Sequence, residues 1–200
     1  MLQNKLITQK IREEIKLKRA ELSEEEKEKK SWFASQFVIH SKIFQESKTV
    51  ACYLAVDGEM DPSFIIETCQ KEKKKCYLPV IDEKEKGKMV FILYCPGDEL
   101  VINRFDIEEP IYNKNKIIDP KALDLVIMPL TVFYMNGHRL GMGGGYYDRA
   151  FAFAKNKHAN EKPFLCGFAY SFQEVSSLQT AEWDIAMDAI ATEERLTYLE

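Results

Sequence analysis

Four of the chain's nine glycines crowd into five positions, at Gly141, Gly143, Gly144 and Gly145. Just upstream, residues 123–128 read LDLVIM, an apolar run rich in strand formers. Just downstream, from Tyr146, the pattern turns helical. A buried strand that runs into so dense a glycine stretch, and then into a helix, admits few folds. It is the layout of an α/β sheet whose ligand sits beyond the carboxyl ends of the strands. The stretch 128–149, MPLTVFYMNGHRLGMGGGYYDR, is therefore the candidate site.

The rest of the chain agrees with that layout. Ile7, Ile11 and Ile15 recur at four-residue steps, with Leu22 close to their face, which predicts a helix over 4–21. Ser23-Glu24-Glu25-Glu26 is a capping box that opens a second helix. Phe33, Phe37, Ile43 and Phe44 give that helix an apolar stripe to about Glu46, expected to lie in the core. The period then changes. Residues 49–56 (TVACYLAV) predict a buried strand, Asp57-Gly58 a turn, and Asp61-Pro62 the start of a helix to about Lys74. Residues 76–80 and 89–94 are strand candidates on either side of a charged turn, and Pro96-Gly97-Asp98 is a further turn. Residues 103–121 look irregular. A helix is expected over 146–157, and the last strands over 164–169 and 189–192. Strands alternating with helices predict an α/β, three-layer, Rossmann-like sandwich with a mostly parallel central sheet and an N-terminal helical pair. No repeat or linker divides the chain, so a single domain over residues 1–200 is expected.

Composition removes several function classes. An apolar fraction of 46% and a charged fraction of 30% are ordinary for a globular protein and exclude a disordered or fibrous chain. Twenty-eight basic against thirty-two acidic residues give a net charge of −4, which argues against a nucleic-acid partner. No apolar run reaches the ~18 residues of a membrane span, and the N-terminus has no signal-peptide core. The expectation is a cytoplasmic protein with no membrane partner. The five cysteines (Cys52, Cys69, Cys76, Cys95, Cys166) form no CxxC pair, which points to buried free thiols rather than a disulfide framework or a zinc site. Residues 1–20 carry six basic and two acidic residues, so this first helix is basic inside an acidic chain. It is either a solvated face or a surface turned toward an anion.

The glycine loop has two readings. Glycines allow positive φ and close approach of a ligand to the backbone, and successive amides can cradle phosphate oxygens. The helix from Tyr146 would aim its positive end at the same place, between Arg139 and Arg149. A purely structural glycine turn is the alternative. The loop is neither a Walker motif, since no GK[ST] follows, nor a Rossmann fingerprint. Asp148 in the first helical turn suits the helix dipole, or, beside a triphosphate, Mg²⁺ with Asp184 as a second carboxylate. Alone, Asp184 reads as a helix cap. His138 reads as a solvent-facing loop histidine. Phe133, Tyr134, Tyr146 and Tyr147 could stack a planar ring, although core burial explains Phe133 equally well.

These residues resemble the 5-formyltetrahydrofolate cyclo-ligase (methenyltetrahydrofolate synthetase) family. RLGMGGGYYDR is similar to that family's signature almost residue for residue. IREEIKLKRAELS, DGEMD, YLPV, NRFDIEEP, DLVIMPL and AEWD follow in the family's order over nearly the whole length. The resemblance implies an enzyme that uses ATP and Mg²⁺ to convert 5-formyltetrahydrofolate to 5,10-methenyltetrahydrofolate, releasing ADP and phosphate. It implies catalytic parts for Arg12, Arg139 and Tyr147. It implies ATP contacts from Lys10, Arg12, Arg139, Gly141, Met142, Gly143, Gly144, Gly145 and Tyr146. Folate would meet Glu59, Phe105, Tyr146 and Tyr147, and Asp148 and Asp184 would hold Mg²⁺. No obligate protein partner is implied.

The chain departs from the family pattern in two places. Thr8 stands where the family often has a basic residue four positions before Arg12, and Lys10 and Lys5 lie at other offsets. The loop has Met142 and Gly144 where some members carry a basic residue, which leaves more of the phosphate charge to Arg139, Arg149 and the metal. Two rival readings stand beside the cyclo-ligase. One is a sugar-phosphate isomerase-like enzyme that uses the loop for substrate phosphate. The other is a non-catalytic folate or nucleotide binder.

Overall fold

A computed structural model describes residues 2–82, 85, 87–156, 161–177 and 182–199. Helices α1 (Leu2–Glu21), α2 (Glu24–Ile39) and α3 (Lys42–Glu46) lead into strand β1 (Thr49–Ala51). Helix α4 (Ser63–Lys71) then precedes β2 (Lys75–Ile81) and β3 (Met89–Tyr94). Short strands β4 (Leu100–Ile102), β5 (Glu108–Pro110) and β6 (Ile117–Ile118) come before β7 (Leu125–Met128). After β7 come β8 (Val132–Phe133), β9 (Arg139–Leu140), helix α5 (Tyr146–Ala150), β10 (Phe164–Phe168), β11 (Ala189–Ala191) and β12 (Leu196–Tyr198).

Eight strands form the central sheet in the order β12-β11-β10-β7-β1-β2-β3-β6. The run from β11 to β2 is parallel; β12, β3 and β6 join antiparallel. Successive residues of β7 face opposite layers, as strand geometry requires. Leu125 and Ile127 meet α2 and α4 through Ala34, Val38, Ile65 and Cys69. Val126 and Met128 meet Phe151, Ala154, Ile185 and Met187 on the other face. The three-layer α/β architecture and mostly parallel sheet are as expected from the sequence.

Several boundaries differ, each for a local reason. The capping box at Ser23 and Glu26 forms, but α2 stops at Ile39. Ser41 caps a separate helix, accepting from the Phe44 amide while its hydroxyl donates to the Val38 carbonyl. That break rotates the aromatic stripe: Phe44 is fully buried, whereas Phe33 and Phe37 are exposed, and Ser31, Ala34, Ser35 and Val38 face the core instead. Of the three isoleucines expected to share a face on α1, Ile15 is buried, Ile11 is half-buried and Ile7 lies open to solvent. The strand expected over 49–56 pairs as a ladder only to Ala51, and the helix after Pro62 ends at Lys71. Within residues 103–121, expected as irregular, Glu108–Pro110 pairs back on Leu100–Ile102 as the β4–β5 hairpin, and Ile117–Ile118 joins the edge of the central sheet as β6. The C-terminal edge strand β12 is a further addition. The helix expected over 146–157 is a single α-helical turn followed by a 3₁₀ segment at Ala152–Asn156; residue 157 lies outside the described residues. Four cysteines are buried and Cys95 is exposed; all five are free thiols.

Candidate active site

Helix α1 lies across the carboxyl edge of the sheet and is tied there by two arginines seven positions apart. Arg12 Nε donates to the Gly141 carbonyl at 2.9 Å. Arg19, buried, donates through Nη2 to the Leu130 carbonyl at 2.6 Å, just beyond β7. Residues seven apart share a helix face, so the basic helix turns one cationic edge onto the loops that follow β7. Lys10 is exposed and, two residues from Arg12, lies on a different face of α1. Thr8, one turn before Arg12, is half-buried.

Two positions of the glycine loop require glycine for their backbone, Gly143 and Gly145. Gly143 has φ +99°, and a Cβ there would come within 3.3 Å of Arg12 Nη2. Gly145, in the left-handed region at φ +64°, caps α5, and a Cβ on it would sit 2.8 Å from Arg149 Nη1. Arg149 is bound into the loop, donating to the carbonyls of Gly144 and Gly87, each at 2.7 Å. Gly141 has open space around it, and the side chain of Met142 is exposed. With only five residues, α5 brings too few aligned peptides to act as an anion anchor of its own. The positive charge around the loop comes from side chains, which corrects the helix-dipole expectation.

Arg139 is buried in β9. Its Nη1 donates to the Ile185 carbonyl at 2.7 Å, and its Nη2 pairs with Asp148 Oδ1 at 2.9 Å. The Ile185 amide also donates to that oxygen, at 3.3 Å. Asp148 lines a cleft with Gly143, Gly144 and Gly145, and among the described residues its Oδ2 accepts no hydrogen bond. Asp184 is half-buried and adjoins Ile185, so the strap 184–185 runs alongside Asp148. Among the described residues no cluster of three potential metal ligands occurs, so protein groups alone build no metal cage. Two carboxylates and a polyphosphate are a donor set that suits Mg²⁺.

The next residue back, Tyr147, faces the interior. Its hydroxyl is shut away from water without a hydrogen-bond partner, and burial with the nearby Glu59 charge pushes its pKa well above the usual phenol value. Glu59 is buried and, among the described residues, accepts a single long 3.3 Å bond, from the Val56 amide. Burial raises its pKa to about 7, against the opposing pull of Arg19 and that amide. An enclosed carboxylate and an enclosed phenol, both under-bonded, mark a place for a polar ligand, because unsatisfied buried groups are costly. Tyr146, on the other flank, accepts from Arg104 Nη2 at 2.8 Å and meets the half-exposed Phe105 edge-on at 6.1 Å. One helical turn thus joins two surfaces: Asp148 looks into the cleft, Tyr147 toward Glu59.

Other expectations sort out differently. Phe133 is core, and Tyr134 is half-buried. His138 is half-buried, with Nδ1 enclosed and unpartnered, rather than facing solvent. Sequence reasoning missed Arg19, whose signal was its seven-residue spacing from Arg12, and Arg104, which carried none.

Comparisons with known proteins bear on this site. The sequence model of the 5-formyltetrahydrofolate cyclo-ligase family matches residues 4–193. The chain is 40% identical over 144 residues to 5-formyltetrahydrofolate cyclo-ligase of Escherichia coli strain K12, covering 72% of this chain and 77% of that one. It is 33% identical over 180 residues to the Haemophilus influenzae cyclo-ligase, covering 90% and 94%. Among solved structures it resembles Aquifex aeolicus 5,10-methenyltetrahydrofolate synthetase, with a TM-score of 0.80, 30% identity and coverage of 97% and 93%. The Mycoplasma pneumoniae synthetase, with a TM-score of 0.71 and 23% identity over 93% of this chain and 98% of that one, shares the fold.

Proposed function

The chain belongs to the 5-formyltetrahydrofolate cyclo-ligase family, an enzyme family of ligases, and from that premise we propose its reaction in full. It converts 5-formyltetrahydrofolate to 5,10-methenyltetrahydrofolate, consuming ATP and releasing ADP and phosphate. The observation that carries this reading is the turn Tyr146-Tyr147-Asp148, which faces a glycine-lined cleft on one side and the buried Glu59 on the other. A reaction between a triphosphate and a folate needs two such pockets with a shared wall.

A formyl amide is a poor electrophile and its oxygen a poor leaving group. Transfer of the γ-phosphoryl group of ATP to that oxygen activates the carbon. N10 of the same molecule then attacks, the C–O bond breaks, and phosphate leaves. The attack is intramolecular, so holding the folate bent supplies much of the rate. Glu59 accepts hydrogen bonds from the amino and N3 groups of the pterin, and Tyr147 supplies a hydroxyl beside it. Tyr146 and Phe105 flank the folate, with Arg104 bracing the Tyr146 hydroxyl.

On the nucleotide side, Gly141, Gly143, Gly144 and Gly145 let phosphates approach the backbone, with Met142 at the loop's outer edge. Arg12, and Arg149 from the opposite side, neutralise charge that builds during transfer. Lys10 contributes general positive potential from the exposed face of α1. Arg139 acts through Asp148, orienting the carboxylate rather than reaching the phosphates. Asp148 and Asp184 would hold Mg²⁺, which offsets phosphate charge when bound. The ion's remaining donors would be phosphates and water.

The test is ADP release measured with and without 5-formyltetrahydrofolate, alongside the absorbance of the methenyl product. Release that depends on folate and matches product formation is the expected result. ADP release independent of folate, or binding of both ligands without product, would remove the reading in favour of a non-catalytic binder. No helix among the described residues is long and apolar enough to cross a membrane.

A further inference from the structure

The cleft beside the glycine loop has a volume of about 660 Å³, room for a whole nucleotide rather than a phosphate group alone. Beyond Gly144 and Asp148, its lining includes Arg149, Lys155 and Trp183. Trp183 is 73% exposed, the highest exposure among the large apolar side chains of the described residues. The chain has one other tryptophan, Trp32, whose ring meets Phe33 edge-on at 5.0 Å. Among the described residues no ring stacks on Trp183.

What sets Trp183 apart from the other exposed aromatics is its place: it lines the cleft beside the glycine loop, where its flat face is open to a planar ligand. The chain beside Trp183 is anchored. Two residues on, Ile185 is buried, and its backbone is bonded on both sides, to Asp148 Oδ1 and Arg139 Nη1. The backbone that carries the indole is thus tethered beside the glycine loop, with the cations of Arg149 and Lys155 in the same cleft.

We propose that Trp183 is the platform on which the purine ring of the nucleotide stacks, with Lys155 lying along the phosphate chain. Every base offers a π-face, and stacking on an indole is a common way to hold one. This rests on the nucleotide use proposed above and assigns a base subsite to the same cleft.

Trp32→Phe leaves Trp183 as the sole tryptophan and provides the test. ADP should quench its emission saturably, and inorganic tripolyphosphate should compete with ADP without quenching. Trp183→Ala should raise KM for ATP about tenfold or more and leave KM for the folate unchanged, while Trp183→Phe retains most of the affinity. Circular dichroism checks that each variant is folded. Calorimetric ADP binding with no change in emission, or an unchanged ATP KM in Trp183→Ala, would overturn the proposal. So would equal quenching by tripolyphosphate. These failures are separable from failure of the cyclo-ligase reading: they leave folate-dependent methenyl formation intact, whereas absence of that product leaves ADP quenching readable.

Discussion

Arg12 Nε donates to the carbonyl oxygen of Gly141 at 2.9 Å, across 129 positions of sequence. This single bond joins the N-terminal helix to the glycine loop and sets the guanidinium over Gly143, where Nη2 lies 3.3 Å from the position a Cβ would take. Of the basic residues on this helix, Arg12 and Arg19 are turned toward the loops, whereas Lys10, Lys16 and Lys18 stay on the solvated faces.

Arg12→Ala should therefore raise KM for ATP and lower kcat together, with kcat/KM falling about 10²–10³-fold. A group that stabilises charge in transfer acts more in the transition state than in the ground state. Arg12→Lys should recover only part, because an ammonium cannot hold the Gly141 carbonyl and face a phosphate with a planar fork. Steady-state kinetics decides it, and unchanged kinetics in Arg12→Ala would make the residue a solvated one.

Gly143→Val should keep the fold by circular dichroism and lose about a hundredfold or more in turnover. The backbone at φ +99° resists a β-branched residue, and the new side chain would push against Arg12. A folded variant with near-normal turnover would show that the loop does not cradle the phosphates.

Glu59 gives a pH signature. Its pKa stands near 7, so KM for the folate should fall as pH rises through about 7 and the carboxylate forms. Glu59→Gln should flatten that profile and weaken folate binding roughly ten- to hundredfold, with ATP binding little changed. Stability carries the opposite sign. Between about pH 4.5 and 7 the folded state holds a proton that the unfolded state has released, so this group's contribution falls as pH rises through that window. Glu59→Gln should be the more stable chain at pH 8 in a denaturant titration, and a wild-type advantage there would contradict the burial argument.

Asp148→Asn and Asp184→Asn should each raise the Mg²⁺ concentration needed for half-maximal activity and lower kcat. Asp148→Asn should have the larger effect, because it also loosens the hold of Arg139. The double variant should be little worse than Asp148→Asn alone, since groups acting as one unit are non-additive. The helix-cap reading of Asp184 is excluded, because residues 184–188 are irregular and lead into β11, so a Mg²⁺ titration of Asp184→Asn that overlays the wild type would remove this residue from the metal site.

Asp124 should govern acid stability. Its carboxylate accepts the Lys48 amide at 2.8 Å, the Thr49 amide and hydroxyl at 2.9 Å each, and the Lys162 ammonium, clamping the start of β1 to β7. Burial opposes the charge, but these donors prevail and hold its pKa down to about 2. Its contribution is complete above about pH 4 and is lost as pH falls toward 2. Asp124→Ala should cost about 2–4 kcal/mol at pH 7 and lack that acid loss, as thermal melts across pH would record.

The sequence by itself determined what is written in neighbouring residues. The capping box at Ser23 and Glu26 makes its own hydrogen bonds within one turn, so α2 begins where expected. The run at β7 is apolar throughout, because a strand covered on both faces of the sheet buries every residue. The glycine loop was legible because positive φ at Gly143 and Gly145 is a local backbone demand. Helix ends were less so: α2 breaks at Ser41 because one hydroxyl satisfies both the Val38 carbonyl and the Phe44 amide, a choice that periodicity does not encode. What only the tertiary structure decided is which distant groups meet. Arg12 reaches Gly141, Arg19 reaches Leu130, and the Ile185 strap lies against Asp148, each through bonds between segments far apart in the chain. Such meetings depend on how α1 and the last loop are laid across the carboxyl edge of the sheet. That placement is the outcome of burying the whole core at once, and no short stretch of residues carries it.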